Sequence, residues 1–145
     1  MVVSVKKIRD TALLPTRGSK NAAGYDLYAD ISEQWDIMPH EARLIPTGLA
    51  LALPEGYFGG IFARSGLASK EGLRPANCTG VIDADYRGEI MVSLHNDSEK
   101  IRTIEPLQRI AQLVVLPYLK IQFCEDMELT ETERGSDGFG STGKL

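Results

Sequence analysis

Short apolar runs separated by glycine and proline recur along the chain and leave little room for helices. The runs carry β-branched, aromatic or alternating apolar residues at a length typical of strands. They are residues 3–5, 43–45, 48–53, 57–62, 88–94 and 109–116. Many short strands between turns predict an all-β sandwich or barrel.

One segment has the features of a helix. Residues 65–71 (SGLASKE) begin with Ser65 in a possible N-cap position and are followed by Gly72, which is suited to end a helix. The first turn of a helix presents unpaired backbone N–H groups, so with Arg64 just before it this segment can form a compact anion site. A connecting helix beside a solvated arginine is the alternative interpretation.

The composition changes near the C-terminus. From Thr130 onward (TETERGSDGFGSTGKL) the chain is rich in glycine and small hydroxylated residues and has no apolar periodicity. We therefore expect one domain over residues 1–129, followed by a tail over residues 130–145 that is either mobile or ordered by a ligand. Phe139 is the only aromatic residue of this tail.

Composition and charge exclude several classes of protein. The net charge of −4 argues against binding to nucleic acid or to an anionic membrane, since such binding needs many Lys and Arg residues. Cys78 and Cys124 fit no metal or disulfide pattern, and we expect buried, reduced thiols. The N-terminus has no signal-peptide pattern and no run is long enough to span a membrane, which favours a cytoplasmic protein.

Five sequence blocks, taken in order, are more informative than any single residue. They are AAGYDLYA (22–29), RSGLA (64–68), Asn77 with GVIDADYRGE (80–89), RIAQL (109–113), and Arg134-Gly135 with GFGSTG (138–143). In order and spacing they resemble the five motifs of the trimeric dUTPase family, over residues 16–143. The resemblance implies a jelly-roll-like β-barrel with one short helix, a homotrimer, and active sites that are each assembled from all three chains.

The resemblance also implies an activity. The family hydrolyses dUTP to dUMP and pyrophosphate, which limits uracil incorporation into DNA and supplies dUMP for dTMP synthesis. Asp83 is expected to be the general base that activates the water attacking the α-phosphorus, a role typically worth about 10²–10⁴ in rate. Tyr86 is expected to pack on the deoxyribose and leave no space for a 2′-hydroxyl. Asp26 is expected to orient the site without reacting.

The remaining expected site residues bind the substrate. Asn77, Gly80, Val81, Ile82 and Met91 are expected to surround uracil; Arg64, Ser65, Gly66 and Gln112 to hold the phosphate chain; and Arg134, Phe139, Gly140, Ser141 and Thr142 to close over the nucleotide from the tail. In this arrangement Arg134 clamps the γ-phosphate and Phe139 stacks on the base. Magnesium is expected on the triphosphate oxygens and waters, with no direct protein ligand.

Two departures from the family pattern and two rival functions remain. Ala63 stands where proline is usual and Leu107 where glycine is usual. We therefore expect a looser approach of the chain to the predicted helix over residues 65–71, which holds the phosphates, and a different turn before Arg109.

A dCTP deaminase of the same fold would need a further carboxylate near the base, and residues 90–95 (IMVSLH) contain none. A nucleotide-sensing protein without catalytic activity is the rival from another class.

Overall fold

A computed structural model describes residues 1–136 and 138. The described part of the chain forms twelve strands and one short helix, α1 (Leu67–Glu71). The strands are β1 (Ser4–Lys7), β2 (Thr16–Arg17), β3 (Tyr25–Tyr28), β4 (Trp35–Ile37), β5 (Ala42–Pro46), β6 (Leu49–Ala52), β7 (Tyr57–Phe62), β8 (Leu73–Pro75), β9 (Gly80–Ile82), β10 (Met91–Asn96), β11 (Arg102–Ile104) and β12 (Arg109–Pro117). The all-β prediction is confirmed.

The strands pair in antiparallel ladders that form a jelly-roll-like arrangement. The largest ladder has five strands in the order β2-β3-β12-β7-β9, and a second has the order β5-β10-β8. Two further pairs, β1 with β6 and β4 with β11, complete the fold. These are four separate ladders, so the expected barrel is not one continuously closed sheet among the described residues. In the largest ladder β9 pairs with β7 on one side and lies at the edge.

The core lies between the ladders and follows strand alternation. In β10, Val92 and Leu94 point inward and are at most 1% exposed, while Ser93 and His95 alternate with them toward the other face. Asn96 is also fully buried, and its side chain donates to the Ile37 and Lys100 carbonyls at 3.0 and 2.7 Å. A buried amide with partners of this kind avoids the cost of an unmade hydrogen bond and fixes how β10 meets its neighbours.

The predicted helix is present, although its start differs from the prediction. Residues 65 and 66 are helical and residues 67–71 continue as a π-helix, so Ser65 lies inside the helical turn. Gly66, the residue before the π-helix, has helical dihedral angles and no side-chain cap hydrogen bond, and the predicted Ser65 cap is wrong because Ser65 is itself helical. Gly72 ends the helix in the left-handed conformation, as predicted, with a φ of 69°. No helix within the described residues is long and apolar enough to cross a membrane.

The predicted strands are largely confirmed, with one error that matters for the site. The strand over residues 57–62 has the predicted bounds, and those near residues 4, 43, 49 and 109 shift by a few residues at most. The strand predicted to begin at Gly88 begins at Met91 instead. Residues 88–90 instead complete a loop, and the Glu89 side chain and Ile90 backbone bond to residues 48 and 49.

Both cysteines are exposed, so the prediction of buried thiols is wrong. Cys78 lies in the loop between β8 and β9 with a φ of 59°, and Cys124 follows the last strand. Beyond Pro117 the described residues form neither helix nor strand. This segment nonetheless carries large apolar side chains in water, namely Leu119, Ile121, Phe123, Met127 and Leu129, which are 67 to 100% exposed.

Candidate active site

A pocket opens where the edge strand β9 approaches β10 and β8. It has a volume of about 170 Å³ and contains the predicted uracil-binding residues. Its lining consists of Leu44, Ile61, Pro75, Asn77, Gly80, Val81, Ile82, Met91, Val92 and Ser93. A neighbouring pocket of about 300 Å³ shares Leu44, Val81, Ile82 and Met91 and adds Asp83, Tyr86 and Glu89. We call these two the β9 pocket and the Tyr86 pocket.

Residues 83–88 form the first part of the loop between β9 and β10, and hydrogen bonds within the loop hold them. The Tyr86 backbone N–H donates to the Asp83 carbonyl at 3.2 Å, and the Arg87 guanidinium donates to the Ala84 carbonyl at 2.6 Å. The Tyr86 hydroxyl donates to the Glu89 carbonyl at 3.0 Å. A Cβ on Gly88 would lie 2.4 Å from that hydroxyl, so this close approach of the ring requires glycine.

Asp83 lies at the rim of the Tyr86 pocket and faces solvent. Its residue is exposed, and it also borders an open groove with Glu55, Arg87 and Lys120. Aspartate carboxylates are ionised at neutral pH. A carboxylate placed at the mouth of a pocket can therefore accept a proton from a water molecule beside a bound ligand.

A second cluster of predicted site residues lies around Asp26 on β3. The Asp26 carboxylate accepts from Arg64 Nε at 2.8 Å and from Arg109 Nη1 at 3.3 Å, and its side chain is only 13% exposed. Arg64 Nη1 also donates to the Arg109 carbonyl at 3.2 Å. The carboxylate thus orients two guanidinium groups on one surface, which we call the arginine cluster. Such a pair of cations suits a phosphate.

The backbone beside the arginine cluster is tied to β12. Gln112 Nε2 donates to the Ala63 carbonyl at 2.9 Å, and Gln112 pairs with Asp26 on one side and Phe62 on the other. This bond ties the backbone at Ala63 to β12, and the looser approach expected from alanine in place of proline stays a prediction. Ser65 and Gly66 follow Arg64 and are exposed. Leu107 has a φ of 59°, which is in the left-handed region that glycine favours, and the expected difference in the turn before Arg109 stays a prediction.

Asp83 and Arg64 lie apart along β7. Ile82, just before Asp83, pairs with Gly59 in the middle of this strand, whereas Arg64 follows two residues after Phe62, the last residue of the strand. A strand rises about 3.3 Å per residue, so Gly59 and Phe62 are about 10 Å apart and Arg64 is farther still. Asp83 and Arg64 of one chain are therefore separated along β7, although the β9 pocket itself extends to Ile61 near the Arg64 end of the strand.

The tail residues are described only in part. Arg134 is exposed in the structure. The predicted residues Phe139, Gly140, Ser141 and Thr142 lie outside the described residues. Among the residues that are described, no group of three or more His, Cys, Asp or Glu side chains is placed to hold a metal ion.

Three residues near the site were not predicted. Arg109 shares Asp26 with Arg64, and its place at the start of a motif block could have indicated this role. Leu44 lines both pockets although it is 53% exposed, and only its apolar character in a predicted strand pointed to it. Glu89 accepts hydrogen bonds from Arg9 and Gly48, and no local sequence signal could have identified partners so far away.

Comparison with known proteins gives one consistent family. A family model described as dUTPase matches residues 10–143. A deoxyuridine 5'-triphosphate nucleotidohydrolase of Hydrogenobaculum sp. (strain Y04AAS1) is 48% identical over 143 residues, which cover 99% of this chain and 99% of the relative.

Solved structures give the same result for the fold. A mutant dUTPase of Staphylococcus bacteriophage 80alpha, with dUpNHpp, has a TM-score of 0.87 and 31% identity, and the match covers 98% of each chain. A mutant dUTPase from phage phi11 of S. aureus has a TM-score of 0.77 and 28% identity, over 88% of this chain and 98% of the other. That second structure is described as revealing the coordination of a structural Mg(II) ion.

Proposed function

The chain belongs to the dUTPase family and is a dUTP diphosphatase, which hydrolyses dUTP to dUMP and pyrophosphate, and we propose how its residues share this reaction. The observation that carries the proposal is the β9 pocket, with the Asp83 carboxylate at the rim of the adjoining Tyr86 pocket. The base enters the first pocket, the sugar lies in the second, and the α-phosphate is presented to Asp83.

Uracil is recognised by the edge of β9 and by Asn77. Because β9 is an edge strand, its outer backbone N–H and C=O groups are available to a base. The Asn77 amide lines the same pocket and offers both a donor and an acceptor. Cytosine presents the opposite pattern at this edge and would leave buried groups unpaired, a mismatch that can discriminate by about 10⁴–10⁵.

The Tyr86 ring selects the deoxyribose. Its hydroxyl donates to the Glu89 carbonyl and lies close to Gly88, so the hydroxyl end of the ring is held in place. The ring borders the pocket next to the base and packs against the sugar. A ribose 2′-hydroxyl would then meet the ring, which disfavours UTP.

Asp83 acts as the general base. It takes a proton from the water molecule that attacks the α-phosphorus, a new oxygen–phosphorus bond forms, and the bond to the β-phosphate oxygen breaks as pyrophosphate leaves. Proton transfer of this kind contributes about 10²–10⁴ in rate. Its exposed position at the pocket rim leaves room for this water.

The phosphate chain is held by Arg64, Ser65, Gly66 and Gln112. The hydrogen bonds that described residues make to Arg64 use Nε and Nη1, so Nη2 is available for a phosphate oxygen. Asp26 keeps this guanidinium oriented before substrate arrives, which reduces the entropy lost on binding. Asp26 is thus a positioning residue.

A complete site needs more than one chain, and we propose a homotrimer with shared sites. Two observations support it. Asp83 follows Ile82, which pairs with Gly59, whereas Arg64 lies two residues beyond Phe62, so Asp83 and Arg64 of one chain are separated along β7 and the proposed substrate lies between chains. The apolar side chains of residues 119–129 are almost fully exposed, and a patch of that kind is typical of a surface covered by a partner.

The tail over residues 130–145 then closes the site of a neighbouring chain. Its proposed contacts are Arg134 to the γ-phosphate, Phe139 to the uracil face, and Gly140, Ser141 and Thr142 to the β- and γ-phosphates. Glycine-rich backbone can approach phosphate closely and point N–H groups at it, which fits this composition.

Magnesium is the proposed cofactor, bound by triphosphate oxygens and waters. This mode is supported by the chemistry of magnesium, which dehydrates reluctantly and usually binds through substrate phosphates and waters. When bound, the ion neutralises phosphate charge and favours departure of pyrophosphate. The residues that face the metal-bearing phosphates are Arg64 and Gln112.

Product analysis tests the proposed function. The protein with Mg²⁺ is incubated separately with dUTP, dCTP, dTTP and UTP, and both the nucleotide and released pyrophosphate are measured. We expect dUMP and pyrophosphate from dUTP alone. Deamination of dCTP would assign the protein to the deaminase branch of the fold, and inertness toward all four nucleotides would favour a nucleotide-sensing role.

A further inference from the structure

A network of charged residues fastens the C-terminal end of the loop over residues 83–88. Glu89 accepts two hydrogen bonds from the Arg9 guanidinium, Oε1 from Nη2 and Oε2 from Nη1, the latter at 3.2 Å. Glu89 Oε1 also accepts the Gly48 backbone N–H at 2.8 Å. The third donor of Arg9, Nε, bonds to Asp30 Oδ2. One arginine therefore bridges two carboxylates that are distant in sequence.

The network is more enclosed than an ordinary surface ion pair. The Asp30 side chain is 3% exposed and that of Glu89 is 20% exposed, with Arg9 covering them at 40%. The paired Arg9 guanidinium holds the pKa of Glu89 below its usual range. A bidentate arginine–carboxylate pair fixes the relative orientation of the two groups as well as attracting them, so this contact can fix the backbone position of Glu89.

The backbone around the network is equally constrained. Gly48 has a φ of 69°, and a Cβ there would lie 2.2 Å from Asp30 Oδ2, so only glycine fits. The Ile8 N–H donates to the Gly48 carbonyl at 2.7 Å, and the Ile90 N–H donates to the Leu49 carbonyl at 2.8 Å. Residues 8–9, 48–49 and 89–90 thus form one fixed block beside the loop.

This block is joined directly to Tyr86. The Tyr86 hydroxyl donates to the backbone carbonyl of Glu89, the same residue whose side chain Arg9 holds. A shift of Glu89 therefore moves the acceptor of the only polar group on the Tyr86 ring. The hydrogen bonds within residues 83–88 join backbone groups and the Arg87 side chain, so they do not hold the Tyr86 ring itself.

We propose that Arg9 and Glu89 are positioning residues that hold the Tyr86 ring in place and thereby help the enzyme distinguish deoxyribose from ribose. This inference rests on the proposed role of Tyr86. The pair acts through Tyr86, since the Glu89 carboxylate is engaged by Arg9 and Gly48. Loss of the pair frees the ring, which weakens contact with deoxyribose and makes room for a 2′-hydroxyl.

The test is the ratio of kcat/KM for dUTP to kcat/KM for UTP. The variants are Arg9→Met, Glu89→Gln and Tyr86→Phe, and the last keeps the ring but removes the bond to the Glu89 carbonyl. We expect each to lower the ratio by about fivefold to tenfold, the size expected from one lost hydrogen bond. Arg9→Lys keeps a charge that supports folding but loses the two-point contact, and it should lower the ratio in the same direction.

A double variant separates positioning from a general loss of stability. Arg9 binds the Glu89 side chain and the Tyr86 hydroxyl binds the Glu89 backbone carbonyl, so both act through Glu89. Arg9→Met combined with Tyr86→Phe should therefore lower the ratio little more than either change alone. Ile104→Val is the stability control, since Ile104 is fully buried on β11 and pairs with β4, away from the loop. It should lower the unfolding temperature and leave the dUTP/UTP ratio unchanged.

Tyr86→Ala tests the sugar-selecting role of Tyr86 separately from the role of the Arg9–Glu89 pair. An unchanged ratio in Tyr86→Ala would remove the sugar-selecting role of Tyr86, whatever the Arg9 variants do. A collapsed ratio in Tyr86→Ala, together with normal ratios in Arg9→Lys and Glu89→Gln, would overturn the positioning pair and leave the proposed function intact.

Discussion

The β9 pocket and the arginine cluster, which we propose bind different parts of one substrate, differ in their physical make-up. The β9 pocket presents backbone groups of an edge strand and one amide, and Asp83 faces solvent at the rim of the adjoining Tyr86 pocket. The arginine cluster is organised beforehand, because Asp26 already pairs with Arg64 and Arg109. In the proposed function, shape and hydrogen-bond pattern therefore select the base, whereas fixed charge holds the phosphates.

The largest effect should come from the reacting group at the pocket. Asp83→Asn keeps size and polarity but removes the base, so kcat should fall at least about 10²-fold while dUTP still binds. Single-turnover kinetics and binding of dUTP measure the two quantities separately. Asp85→Asn, an exposed carboxylate two residues away, is the matched control and should change kcat little. Near-normal turnover by Asp83→Asn would remove Asp83 from its proposed role.

The next effect should come from the arginine cluster and should appear in binding. Asp26→Asn loses the charge that orients Arg64 and Arg109, and hydrogen bonds to charged groups contribute about 1.5–3 kcal/mol. We expect KM for dUTP to rise by about 10- to 100-fold, with a much smaller effect on the affinity for deoxyuridine. Asp36→Asn is the control, since it removes an aspartate charge elsewhere while its Oδ1 can still accept from the Thr103 hydroxyl. An equal loss for deoxyuridine would mean that Asp26 supports the whole fold instead.

Lowering the pH should destabilise the protein partly through protonation of Glu89, which lies beside the Tyr86 pocket. The pKa of Glu89 is lowered by Arg9, so the stability that the pair contributes is present above the usual glutamate value of 4.5 and is lost as the pH falls through the lower, folded pKa. Unfolding temperatures measured below about pH 5 should therefore fall less steeply for Glu89→Gln than for the unmodified protein. Glu55→Gln, from the exposed Glu55–Lys120 pair, should leave the slope nearly unchanged. Identical slopes in all three proteins would contradict a stabilising Glu89 pair.

The smallest effect concerns the turn before the arginine cluster. Leu107 holds a φ of 59°, a backbone conformation that costs a residue with a side chain about 1–2 kcal/mol. Glycine would remove this strain, but its greater conformational freedom in the unfolded chain would offset part of the gain. Leu107→Gly should therefore raise the free energy of unfolding by up to about 1 kcal/mol in urea titrations. Ile101→Gly, at an exposed site without positive φ, should not stabilise. Destabilisation by Leu107→Gly would show that the leucine side chain makes a compensating contact.

The sequence predicted the elements whose signal is local. The apolar run at residues 57–62 gave β7 its true bounds, and Gly72 correctly marked the end of α1. Strands of two or three residues, such as β4, β8, β9 and β11, are too short for a two-residue period to be recognised. Glu89 was placed inside a strand because its partners, Arg9 and Gly48, are 80 and 41 residues away.

The candidate site was predictable as a set of residues but not as an arrangement. The motif blocks named Asp26, Arg64 and Asp83, yet residue order alone does not reveal that Asp26 pairs with Arg64 across 38 positions. Nor does it reveal that β7 separates Arg64 from Asp83. These relations depend on strand register, which is set by packing across the whole fold.

A complementation experiment tests most directly whether the two regions of different chains form one site. Asp83→Asn and Arg64→Ala, each nearly inactive alone, are unfolded together in equal amounts, refolded and assayed for dUTP hydrolysis. If Asp83 and Arg64 of different chains share a site, random assembly restores about one site in four with both residues intact. Activity should therefore approach a quarter of the unmodified level. Activity no higher than the sum of the separate variants would contradict shared sites and require Asp83 and Arg64 to act within one chain.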